Sequence, residues 1–105
     1  GLKYNLQTHC NMMVRMDELR AKLNKQILSS ATQQSVKHAI DEALDNLVRY
    51  KIPANTFSGF IRKMICDLDI YDPMSKTRTQ WTNIKIARMH FLQIQWELKI
   101  EAGMK

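Results

Sequence analysis

Lys76, Arg78, Lys85 and Arg88, with Trp81, Trp96 and His90, occupy a run of 24 residues between Asp72 and Glu97 that contains no carboxylate. Cations gathered without anions raise the local potential and favour a polyanionic partner, whereas cations interleaved with acids mainly keep a protein in solution. In Ser75-Lys76-Thr77-Arg78-Thr79-Gln80-Trp81-Thr82 two cations alternate with hydroxyls, all able to donate to phosphate oxygens. Trp81 adds a ring face on which a base can stack. A helical segment would carry the same surface on to Lys85 and Arg88. The candidate nucleic-acid-binding residues are therefore Lys76, Arg78, Trp81, Lys85 and Arg88. The plain alternative is a solvated loop and helix face, with Trp81 in the core. No arginine-rich arm, RNP sequence, zinc finger or basic zipper accompanies them.

The other candidates are weaker. Asp41, Glu42 and Asp45 form a carboxylate cluster with His38 one turn before Glu42. Paired carboxylates can divide acid and base roles when burial separates their pKa values. Here Lys37 and Arg49 stand four residues from Asp41 and Asp45, so a salt-bridged polar helix face is the simpler expectation. His9, His38 and His90 show no metal-ligand spacing with one another or with the cysteines. No glycine-rich phosphate loop, G-x-S-x-G elbow or H-E-x-x-H sequence occurs, so neither a catalytic residue nor a cofactor is expected. Cys10 and Cys66 are 56 residues apart among apolar neighbours such as Met12 and Met64, and are expected to be buried free thiols in a reducing, intracellular setting. Seven methionines, three of them at Met12, Met13 and Met16, serve either as gap-fillers in a small core or as a surface that repacks against partners.

These residues need elements to hold them. Met12, Met16, Leu19, Leu23 and Ile27 recur at steps of four, three, four and four, predicting a helix over 11–28. Glu18 and Lys22 on its other face have the spacing of a favourable pair. Ser30 and Gln33 have the form of a capping box, opening a second helix from about Ala31 to Tyr50 whose inward stripe is Val36, Ile40, Ala43, Leu47 and Tyr50, widened by Ala39, Leu44 and Val48. Pro53 ends it. Asn55 is placed to cap a third helix, with Phe57, Phe60, Ile61, Met64, Ile65 and Leu68 on its apolar face. The second and third helices also have helix-turn-helix spacing, with Asn55, Thr56, Ser58, Arg62 and Lys63 as an exposed face, although Asp67 and Asp69 give its end the wrong sign for DNA. Asp72-Pro73 reads as an N-cap followed by proline, or as a turn.

Two templates fit the last third. Leu92, Ile94, Trp96, Leu98 and Ile100 alternate with polar residues as in a half-buried strand over 91–101, with Leu2, Tyr4 and Leu6 as a possible partner strand. Trp81, Ile84, Ala87, Phe91, Ile94, Leu98 and Ala102 fit a heptad-like helical seam equally well. Either version presents an apolar surface that a second copy would cover, so self-association as a homodimer is expected.

Length and composition set the frame. The 105 residues suffice for one domain, and 45% hydrophobic with 25% charged is globular rather than disordered. Residues 1–40 carry six Lys/Arg against two acids, 41–75 four against six, and 76–105 six against two, giving the net +6. No apolar run approaches the roughly 18 residues that cross a bilayer, so no membrane partner is expected. Starting at Gly1 without methionine is compatible with a piece of a longer protein. The expected fold is mainly α, a bundle of three to four amphipathic helices, with a small terminal β-ribbon as the α+β alternative. The expected function is a non-enzymatic nucleic-acid-binding module in a regulatory or packaging role. Its rival is a protein-interaction module that meets an acidic partner through the Met-rich helix and a basic surface.

Overall fold

The structure, a computed structural model, describes the backbone of residues 6–101 and the side chains of 10–99. It is a bundle of four helices: α1 (Leu6–Ser29), α2 (Gln33–Arg49), α3 (Ala54–Asp69) and α4 (Arg78–Glu101), with a short 3-10 turn at Pro73–Ser75 before α4. All four contribute to one buried cluster. Leu23 and Ile27 come from α1, Val36, Ile40 and Leu47 from α2, Phe60, Ile61, Met64 and Leu68 from α3, and Ile84, Ala87 and Phe91 from α4. The periodic stripes of the first three helices thus face inward as expected, except for Met12 of α1, half-buried outside the cluster, and two residues at the end of α2. Tyr50 is 75% exposed because α2 ends and turns before it can come round to the core, and Val48, about 100° round from Leu47, is 65% exposed.

The C-terminal segment is helical, and there is no strand among the described residues. The β-ribbon alternative is therefore corrected over 91–101. Its proposed partner residues Leu2 and Tyr4 lie outside the described residues, and Leu6 begins α1. The energetic reason is the seam. Ile84, Ala87 and Phe91 are buried, and Trp81, Ile94 and Leu98 pack against the cluster. Burying a large apolar side chain contributes about 1.5–3 kcal/mol, more than the few tenths that each β-favouring residue loses in a helix. The strand template would have set Leu92 and Trp96 on the same face as Ile94 and Leu98. In α4 they turn outward, with Leu92 half-buried and Trp96 61% exposed.

The connections are fixed by local hydrogen bonds, not all at the expected residues. Ser30 is not the cap of α2: its hydroxyl donates to the Gln26 carbonyl at 2.7 Å, in the last turn of α1. Thr32 and Ser35 instead form the capping box, each side-chain oxygen accepting from the other's backbone N–H at 3.1 and 3.2 Å. At the far end of α2, Lys51 N–H donates to Val48 and Ile52 N–H to Leu47, with Lys51 at φ 57°. This is a Schellman turn, with a lysine where glycine is usual. Pro53, not Asn55, occupies the N-cap position of α3, and no side chain caps it. Asp72 accepts from Met74 N–H at 3.0 Å with Pro73 following, as the N-cap reading expected. Thr77 and Gln80 form a reciprocal pair at 3.1 Å that opens α4.

Candidate nucleic-acid interface

At 3.6 residues per turn, Arg78, Trp81, Lys85 and Arg88 fall within an arc of about 80° on α4, turned away from Ala87 and Phe91. The helix therefore gathers four of the five expected residues on one face. Lys76 stands just before it, on the segment that follows the 3-10 turn. Arg78 and Lys85 are exposed, and no carboxylate pairs with either among the described residues.

The other three candidates are more engaged. Trp81 is half-buried against the core, so only part of its ring faces outward, and Lys85 Nζ lies 6.0 Å from its centroid. Lys76 is half-buried, with Nζ 4.9 Å over the Tyr71 ring and 2.9 Å from Ser75 Oγ. Burial and the nearby charge of Asp67 push the Tyr71 hydroxyl above tyrosine's ordinary value of 10.0, so at neutral pH Lys76 rests on an uncharged ring. Such contacts hold a cation without cancelling its charge. Arg88 is different: its Nε donates to Asp69 Oδ1 of α3 at 2.5 Å. That pair is about half exposed and contributes at most about 1 kcal/mol to stability, and it sets a carboxylate directly against Arg88.

The same face continues past the expected residues. Met89, Leu92, Trp96 and Lys99 share its arc, and Arg78, Lys85 and Lys99 stand in one column spanning about 32 Å of helix. Met89 and Trp96 are 65% and 61% exposed. Trp96, not Trp81, is thus the indole open to a stacking partner. The residue was visible in the sequence, but its role depended on whether the segment was helix or strand. Among the described residues Asp69 reaches the face at Arg88, whereas two other acids meet α4 away from it: Asp41 of α2 meets His90 Nε2 at 2.8 Å, about 120° round from Trp96, and Glu97, about 100° round, accepts from Gln93.

The acidic helix face rearranges relative to expectation. Neither Lys37–Asp41, Arg49–Asp45 nor Glu18–Lys22 comes within ion-pair distance among the described residues. His38 pairs with Glu42 at 3.3 Å, and Asp41 turns to His90. Cys10 and Cys66 are free, as expected, but exposed rather than buried. Cys66 lies about 200° round α3 from Met64, so apolar neighbours in sequence are not neighbours on its face. An open cleft of about 400 Å³ lies between α1 and the end of α3, where Arg20 bonds Asp67 Oδ2 at 2.9 Å and Asn24 donates to the same oxygen at 3.1 Å. No group of three His, Cys, Asp or Glu side chains fit to hold a metal occurs among the described residues. No described helix is long and apolar enough to cross a membrane.

No protein-family model, curated protein or solved structure matches this chain.

Proposed function

We propose that the protein is a non-enzymatic nucleic-acid-binding module that engages a single strand along the outer face of α4, in a regulatory or packaging role. The observation that carries this reading is the column of Arg78, Lys85 and Lys99, with exposed Trp96 beside it and no carboxylate within the arc. Cations set along a helix meet successive phosphates, and an open indole takes a base, each stacked base contributing about 1–3 kcal/mol. Lys76 extends the cationic end, and Trp81 supplies the ring over which Lys85 lies. Arg88 positions α4 against α3 through Asp69 instead of meeting phosphate.

A homodimer would have to use another surface. Two copies facing each other across α4 would set Arg78, Lys85 and Lys99 against like charges, and the apolar seam that suggested self-association is packed inside one chain.

The test is a mobility-shift titration with single-stranded and duplex oligonucleotides. About three phosphate contacts give a log–log salt slope near −2 for a single strand, so affinity should fall roughly 16-fold between about 50 and 200 mM salt. The Arg78→Glu, Lys85→Glu double variant should abolish retention, and Arg88→Ala should leave it within about twofold. No retention of wild type at the lower salt, or equal retention by the double variant, rejects the reading.

A further inference from the structure

A second surface, away from α4, brings together two features that the sequence keeps far apart. Met13 and Met16 of α1 line a groove with Gly59, Phe60, Arg62 and Lys63 of α3, enclosing about 170 Å³. Phe60 is buried and forms the base, while the two methionines are half-buried along one wall. Arg62 and Lys63 are exposed at the rim, and no carboxylate pairs with either among the described residues. Arg20, at the edge of the same groove, is already committed to Asp67 and Asp17. The free charge of the rim is therefore positive, above an apolar floor. A cavity of about 150 Å³ lined by apolar groups accepts a benzene-sized molecule, so the volume suits one large apolar side chain. Methionine thioethers adjust to the shape of what enters.

We propose that this groove seats an acidic amphipathic helix of a partner protein. One leucine- or phenylalanine-sized side chain enters between Met13, Met16 and Phe60, and carboxylates on the neighbouring turn meet Arg62 and Lys63. Helix-in-groove recognition of this kind reads an apolar anchor and the charges flanking it. Charge complementarity selects the occupant: a basic helix is repelled by the rim, and a wholly apolar one leaves two cations facing nothing. Gly59 keeps the groove open. A Cβ added there meets only Arg62 Nη2, at 3.8 Å, so alanine fits in ordinary contact while a longer side chain projects into the space.

The experiment titrates the intact protein, with 13C-labelled methionine methyls, against a fluorescent peptide of about 16 residues carrying leucines at helical spacing flanked by glutamates. A scrambled peptide of the same composition and an oligothymidine serve as competitors. The leucine–glutamate peptide should bind, shifting Met13 and Met16 and leaving Met89 unmoved. Gly59→Ala should bind within about twofold of wild type, whereas Gly59→Leu and the Arg62→Glu, Lys63→Glu double variant should each weaken binding about tenfold or more. Five results overturn the proposal: no shift at about 1 mM peptide; equal binding of the scrambled peptide; unchanged affinity in the blocking variants; movement of Met13 and Met16 on protein concentration alone, which means a second copy fills the groove; or stronger movement of these methyls with oligothymidine than with peptide.

Discussion

Two hydrogen bonds from one amide tie the start of α4 to the end of α1. Asn83 is 3% exposed and donates from Nδ2 to the carbonyl of Ile27 at 3.0 Å, which also accepts from Ser30 N–H at 3.4 Å, and to that of Ser30 at 2.8 Å, just past the end of α1. An alanine at 83 takes this donor from the Ser30 carbonyl and leaves Ile27 with the long backbone bond, at a desolvation cost of about 1–3 kcal/mol. Asn83→Ala should therefore lower unfolding free energy by roughly 2 kcal/mol in urea titration; a change below about 0.5 kcal/mol would show that water replaces the amide without loss. Nothing in the sequence marked this residue, because an asparagine in an apolar seam looks like an interruption until the carbonyls it serves are in place. Cys66 illustrates the opposite error. Adjacent letters suggested burial, while the helical rotation that governs exposure sets it opposite Met64.

At the scale of elements, the helices were legible wherever apolar spacing was regular, and their ends were legible only where the usual residue stood at the usual place. Thr77 and Gln80 have the spacing of a capping box, and reading that pair would have started α4 at its observed position and weakened the strand alternative. The period-two pattern from Leu92 to Glu101 could not itself choose, since alternation fixes only which residues share a strand face, and the seam of Ile84, Ala87 and Phe91 decides the matter through packing that is not local. The turn after α2 was hidden by Lys51, which holds the left-handed conformation at φ 57° where glycine would be free of strain. That placement costs about 1 kcal/mol. Lys51→Gly should accordingly raise the melting temperature by several degrees, with both Schellman hydrogen bonds retained; a lower melting temperature would mean that the added freedom of the unfolded chain outweighs the relieved strain.

At the scale of the molecule, two cationic surfaces are built by different means. The outer face of α4 comes from one continuous segment, so most of its residues could be chosen from a carboxylate-free run once that run was taken as helical. The contact of Arg88 with Asp69 was not legible there, because Asp69 comes from another helix. The groove of Met13, Met16, Arg62 and Lys63 joins α1 to α3 and was visible in the sequence only as two unconnected features. The surfaces contain different methionines, Met89 on α4 and Met13 with Met16 in the groove, so one set of methyl resonances reports on both. The most direct test of nucleic-acid binding by α4 is to follow those methyls and the Trp96 indole N–H while single-stranded oligonucleotide is added at about 50 mM salt. Saturable shifts of Met89 and Trp96, absent in the Arg78→Glu, Lys85→Glu variant, are the expected result; unmoved Met89 and Trp96 at saturating oligonucleotide, or shifts that survive both charge reversals, would contradict it.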